Sequence, residues 1–167
     1  MLTVKDSFAT PKIKTETNSK KARLEAKALF MKGVQRGAQQ IESYIPALLE
    51  KSLDSTVWSW PRPTIRANGA VVDDPRSITD TGRLKRSGIV TTKFLQTKTV
   101  FNVKYSAPYA SLVHNGGYIL PYGDSTRNPI FLPARPWISA VLDGGVGGVE
   151  SINIASYMQE AIGGEWT

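Results

Sequence analysis

Leu24, Ala28, Met31, Val34, Ala38, Ile41, Ile45 and Leu48 recur at three- and four-residue steps through a stretch otherwise filled mainly with Lys, Arg, Glu and Gln. That period is one face of an α-helix, and it predicts a single long amphipathic helix from Ser19 to near Ser55. At a rise of 1.5 Å per residue its apolar stripe is roughly 50 Å long. A chain of 167 residues builds one ordinary hydrophobic core, too small to cover such a stripe alone. Part of the helix is therefore expected to pack on another chain. Pro46 removes a backbone donor and crowds the preceding turn, so it is expected to bend the helix or divide off its last two turns. Gly33 and Gly37, four apart, weaken the helix but let another backbone approach closely.

With 41% hydrophobic and 21% charged residues the composition is that of a folded globular chain, neither disordered nor membrane-like. No run approaches the roughly 18 apolar residues of a spanning helix, and residues 1–20 lack the apolar core of a signal peptide. Synthesis in the cytoplasm is the expectation, with no membrane association. Cysteine is absent, which excludes disulfides, thiolate zinc sites and cysteine nucleophiles, so stability must come from packing or from neighbouring subunits. The net charge of +7 is uneven: residues 143–167 carry four acids and no Lys or Arg, whereas residues 56–142 carry eleven Lys or Arg against four acids. Such a division suits phosphate contacts, a contact between the acidic end of one copy and the basic body of the next, or mere solubility.

Outside the helix, residues 1–18 show no apolar period and read as a flexible arm. Residues 56–80, with Pro61, Pro63, Gly69 and Pro75, read as a long connection, which compact domains keep only when it has work to do. Trp58 and Trp60 stand at its start, either capping the core beneath the helix or anchoring a neighbouring subunit. Gly88–Phe94 and Thr99–Tyr105, rich in Val, Ile, Thr and aromatics, predict an antiparallel hairpin joined by Leu95–Lys98. The apolar stretch Tyr109–Val113 stops at Asn115, Gly116 and Gly117. Ile130–Leu132 suits a short strand, and Pro136 the first turn of a helix carrying Trp137, Ile138, Val141 and Leu142. After the glycines at 144–148, Val149 to Ile162 suits one more short helix on Ile152, Ala155, Met158 and Ile162. The fold expected is α+β: a long N-terminal helix packed on a small antiparallel sheet, with a C-terminal helix. Residues 19–142 form the domain, and residues 143–167 a glycine-linked acidic tail.

Residues for chemistry are scarce. The single histidine, His114, rules out a His-Glu-x-x-His zinc site, and neither a phosphate loop nor a nucleophile elbow occurs. Gly144 to Gly148 do not match a dinucleotide fingerprint. Asp73, Asp74 and Asp80 are interleaved with Arg76 and Arg83, which suits ion pairing or turn capping better than a metal. No enzyme, cofactor or metal is expected. The sharpest local feature is Asp80-Thr81-Gly82-Arg83-Leu84-Lys85-Arg86-Ser87, a single helical turn whose Arg83, Lys85 and Arg86 form a basic knob. The knob reads as a solvated turn, a salt-bridging contact to an acidic partner, or a phosphate contact.

Asp80-Thr81-Gly82-Arg83-Leu84 with Ser87, then a hairpin, then Tyr109-Ala110-Ser111-Leu112-Val113-His114 with Gly116-Gly117, then Leu132-Pro133-Ala134-Arg135-Pro136-Trp137 come in that order. The series resembles the neck and tail-completion proteins of long-tailed bacteriophages, the head-tail joining proteins of flexible-tailed phages among them. The resemblance spans about residues 56–142, and Trp137 stands where that family usually has phenylalanine. It implies a structural virion protein at the junction of head and tail, assembled in the host cytoplasm. Its expected form is a homo-oligomeric ring of six subunits, with other neck, connector and tail proteins as partners. Contact with DNA in the channel would be non-specific. Candidate interface residues are Trp58, Trp60, Arg83, Lys85, Arg86, Tyr109, His114, Arg135 and Trp137. The alternative reading is a sequence-independent nucleic-acid-binding module.

Overall fold

The computed structural model describes residues 12–60, 62–95, 98–120 and 126–164, with side chains from Ser19 onward. Helix α1 (Lys12–Asp54) runs through Pro46 undivided. Pro46 is exposed while Ile45, Leu48, Leu49 and Leu53 around it are buried. Packing holds the last turns in place, and the carbonyl that loses its donor lies on the solvent side. The helix also takes in residues 12–18 of the expected arm. Residues 1–11 lie outside the described residues.

The expected connection at 56–80 is an antiparallel ribbon. Trp58 bridges Arg76, and β1 (Thr64–Ile65) pairs with β2 (Val71–Val72) across the turn at 66–70. The ribbon finishes α1. The Trp58 indole N–H donates to the Ser52 carbonyl at 2.7 Å, and the N–H groups of Ile78 and Thr79 donate to the Leu53 carbonyl. Carbonyls that a helix end leaves without partners are thereby satisfied.

Helix α2 (Arg83–Arg86) is the single turn expected, entered through Gly82. Strands β3 (Gly88–Phe94) and β4 (Thr99–Tyr105) form the hairpin with the predicted bounds. Val90 faces Val103 and Thr92 faces Phe101, so the inward side chains of both strands lie over the core. Tyr109 to Val113 leads into helix α3 (Ala110–Asn115), which ends on Gly116 at φ 72°. A Cβ there would come within 2.7 Å of both the Ala134 nitrogen and the Leu132 carbonyl oxygen, so only glycine fits. Strand β5 (Gly117–Ile119) then pairs with β6 (Ile130–Leu132), and the expected helix α4 (Trp137–Leu142) follows, with Pro136 just before its first turn instead of inside it. The small sheet of the prediction is thus three separate two-stranded ribbons.

Helix α5 (Ile154–Gly163) begins later than the pattern suggests. The Ile152 N–H is tied to the Val141 carbonyl, and the Asn153 side chain caps the Ser156 N–H. Its inward face is Tyr157, Met158 and Ala161, while Ala155 is exposed. The segment expected as a tail belongs to the core. Helix α1 packs on β3, α4 and α5, and α5 docks at Gly37, where an added Cβ would lie 2.9 Å from Met158 Sδ and 3.0 Å from Ala161 Cβ.

Only half of the apolar stripe is used. From Ala38 to Leu53 it is the centre of the core, whereas Leu24, Phe30 and Met31 are 62%, 46% and 38% exposed. Among the described residues no helix is long and apolar enough to cross a membrane.

Gly37→Leu is expected to lower the melting temperature by about 3–10 °C through overpacking against α5. A calorimetric scan showing no change would mean that α5 does not dock at Gly37.

Candidate functional site

Two expected interface residues are core residues. Trp58 is 3% exposed and Trp137 is 0% exposed; their apolar rings are already removed from water by the chain itself and leave a partner little area to cover. His114 is half-buried with its ring edge-on to Trp137, centroids 5.0 Å apart, and Nδ1 lies 3.0 Å from Asn115 Oδ1. His114 Nε2 and the Trp137 indole nitrogen are buried without partners among the described residues, and both side chains line a cavity of about 240 Å³.

The basic knob is split. Lys85 turns back onto α1 and pairs with Asp54 at 2.8 Å and Glu50 at 3.2 Å, while Arg83 and Arg86 are exposed. Burial pushes the Asp54 carboxyl up, but the Lys85 ammonium, hydrogen-bonded to it at 2.8 Å, and the nearby Thr79 hydroxyl outweigh it and hold the group below its ordinary 3.8. The acidic segment also has an internal contact, since the Glu150 carboxylate accepts from Lys51 at 3.1 Å and from the Tyr44 hydroxyl at 3.0 Å.

The distinctive arrangement centres on Trp60, which is half-buried. The guanidinium of Arg76 lies 4.2 Å from its ring centroid and that of Arg135 lies 4.4 Å away. Each member is fixed by backbone. Arg76 exchanges backbone hydrogen bonds with Trp58, and the Trp60 N–H donates to the Asp74 carboxylate. The Arg135 N–H reaches the carbonyls of Val113 and His114, which holds the turn between β6 and α4 against the end of α3.

Arg76 and Arg135 are 9% and 5% exposed. Arg76 donates to the Thr64 hydroxyl; Arg135 makes no side-chain hydrogen bond or ion pair among the described residues, and its Nε is buried and unpartnered. Burial and the nearby Arg76 charge push the Arg135 guanidinium down to about 10. Burial and the Arg66 charge likewise lower Arg76, against a pull from Asp74 and Asp80.

These side chains line an open pocket of about 340 Å³, shared with Arg66, Asp80, Arg83 and Tyr109. Asp80 is partly engaged, accepting from the Ala67 N–H at 3.1 Å. The pocket thus brings together Trp60, Arg83, Lys85, Tyr109 and Arg135 of the sequence-predicted set. It leaves out Trp58, Arg86, His114 and Trp137, and it adds Arg66, which the sequence reading did not single out, and Arg76, which it read only as an ion-pairing or turn-capping neighbour of Asp73, Asp74 and Asp80. Their signal was faint: arginines flanking a tryptophan pair in a proline-rich segment.

The described residues hold no cluster of three His, Cys, Asp or Glu suited to a metal. What the pocket can do is receive an anion, because the Arg135 guanidinium, without an acceptor among the described residues and set beside Arg76 and an aromatic face, offers charge-assisted donors in a planar fork. Comparison with protein-family models, curated proteins and solved structures finds no match to this chain.

A depressed carboxyl stabilises the fold above its unfolded value, and that contribution disappears as pH falls through the folded one. Lys85→Gln is therefore expected to lower the melting temperature by about 1–2 °C at neutral pH. The gap closes as pH drops below the 3.8 of a free Asp carboxyl. A gap that stayed constant over that range would remove Lys85 as the cause of the Asp54 shift.

Proposed function

We propose that this chain is a structural subunit that works as one member of a homo-oligomeric ring, in the manner of a tailed-phage neck or tail-completion protein joining head to tail. The observation that carries the reading is the naked half of α1. Leu24, Phe30 and Met31 stand exposed on a helix whose other half builds the core, and exposed apolar surface of this kind marks a contact face. Further apolar side chains are exposed on the ribbons: Ile65 and Val71 on the first, Tyr118 and Phe131 on the third. A ring subunit needs two different faces of this sort, since head-to-tail contacts bury one patch of each copy against another patch of the next.

Support from chemistry points the same way. The pocket gathers Arg66, Arg76, Arg83 and Arg135 around Trp60, a basic surface suited to meeting an acidic one. The ordered motifs around residues 80–87, 109–117 and 132–137 supply the connection to the phage neck. In that setting the ring lies at the head–tail junction of the virion.

Leu24→Glu combined with Met31→Glu is expected to leave the far-UV circular dichroism spectrum of the subunit intact and to weaken self-association by about 100-fold or more. Sedimentation velocity over a concentration series reads the effect, and electron microscopy of the wild-type assembly reads its symmetry, expected to be a closed ring of six. A wild-type chain that stays a folded monomer at high concentration, or binds duplex DNA as a monomer with steep salt dependence, would replace this reading.

A further inference from the structure

We propose that the Trp60–Arg76–Arg135 pocket is a socket for a side-chain carboxylate, and that its occupant is Glu160 on α5 of a second copy of this chain. The inference rests on the ring reading and names the contact that orients one subunit against the next.

The pocket is incomplete as it stands. A buried guanidinium ordinarily has a carboxylate or carbonyl partner, because an unpaired buried cation is costly. Arg135 is 5% exposed and has neither among the described residues. Its contact with the Trp60 ring supplies some attraction, but a ring face leaves the N–H donors unused. Nearby acids are occupied or distant in role: Asp74 accepts from the Trp60 N–H, Asp80 from the Ala67 N–H, and Glu50 and Asp54 hold Lys85. An incoming carboxylate would meet the Arg135 donors and the Arg76 charge at once, in the fork geometry that guanidinium groups favour.

A carboxylate fits better than a phosphate. Asp80 lines the pocket and Asp74 acts electrostatically on Arg76, so a doubly charged group meets more repulsion than a singly charged one.

The occupant follows from charge and distance. Beyond Arg135 the chain has four acids and no Lys or Arg. Among the described ones Glu150 is engaged by Lys51 and Tyr44, whereas Asp143 and Glu160 are exposed with no side-chain partner among the described residues; Asp143 closes α4 at the turn into the glycines, and Glu160 is the one presented on a helix face. A chain cannot use its own Glu160. Helix α5 docks at Gly37, and Leu53, which lines the pocket, lies 16 residues farther along the same helix, about 24 Å at 1.5 Å per residue. One copy therefore carries plug and socket at well-separated places, which is the arrangement a head-to-tail ring requires.

The test uses the full chain and four proteins: wild type, Arg135→Met, Glu160→Gln and the double variant, with Asp143→Asn as a control. Sedimentation velocity is expected to show self-association weakened at least about tenfold by either single change, and hardly further by both together. Arg135→Met at low concentration is expected to melt no lower than wild type, since Met removes an unpaired buried charge without leaving a void.

Propionate on the order of 0.1 M, against chloride at equal ionic strength, is expected to weaken wild-type assembly and leave the Glu160→Gln protein unaffected. This arm holds even if Arg135→Met does not fold. Additive single effects, or assembly indifferent to Arg135→Met in a folded protein, would overturn the socket while leaving the ring intact. A loss caused by Asp143→Asn instead of Glu160→Gln would overturn the choice of Glu160, and displacement by inorganic phosphate but not propionate would overturn the carboxylate. A wild type that never associates overturns ring and socket together.

Discussion

The indole of Trp137 is the point at which the separate pieces of this chain are made into one body. It is fully buried, lies edge-on to Tyr105 of β4 at 5.3 Å and contacts the His114 ring of α3 at 5.0 Å. Its own backbone carbonyl accepts from the buried Ser52 hydroxyl of α1 at 3.3 Å. None of the three two-stranded ribbons would be stable by itself in water. Each is held because one of its faces, or the loop that follows it, ends on this cluster or on the last turns of α1. The segment Leu132 to Trp137 also sets Arg135 next to the pocket, since the residue two places before the sealed indole is pinned to the carbonyls of Val113 and His114. Core and site are therefore adjacent in sequence: what fixes the tryptophan also fixes the guanidinium.

That coupling explains how a buried unpaired cation can be kept. Arg135 near Arg76 costs stability through both desolvation and mutual repulsion, which is why the Arg135 guanidinium is pushed down to about 10. The stacking on Trp60 returns on the order of 2 kcal/mol at best. A flexible loop would relieve the remainder by turning the side chain out to water. Here the backbone is held on both sides, by β6 before it and by α4 after it, so the charge stays in the pocket.

How much of this was legible in the sequence follows from which forces act locally. Strands β3 and β4 were readable to the residue because β-branched and aromatic side chains are concentrated in both seven-residue runs and a short polar joint separates them. The start of α4 was readable to within one residue from Pro136, because proline is favoured where a helix begins and its missing N–H costs nothing there. The ribbon from Trp58 to Arg76 was not, since its strands are two residues long and too short to carry a period. The onset of α5 moved because a hydrogen bond from Ile152 to Val141 outweighs local propensity. Trp60, Arg76 and Arg135 meet only through tertiary structure, so no spacing rule could have joined them. For Trp58 and Trp137 the sequence gives size and polarity but not direction, and direction decides whether a tryptophan is an anchor for a partner or a seal over the core.

The surplus stripe on α1 was visible as a length, and the structure turns it into a physical condition. An isolated helix of moderate length is marginal in water because its first turn must be ordered at a loss. The uncovered half of α1 avoids that loss, for it extends from turns already fixed at Gly37 and beyond. Each further residue needs only propagation, helped slightly by surface pairs such as Lys21 with Glu25 at 3.9 Å. The half-helix is thus ordered at little expense yet gains nothing from its apolar side chains until another surface covers them. A partner chain would meet a rod already shaped, and the burial energy of Leu24, Phe30 and Met31 would go into association rather than into folding.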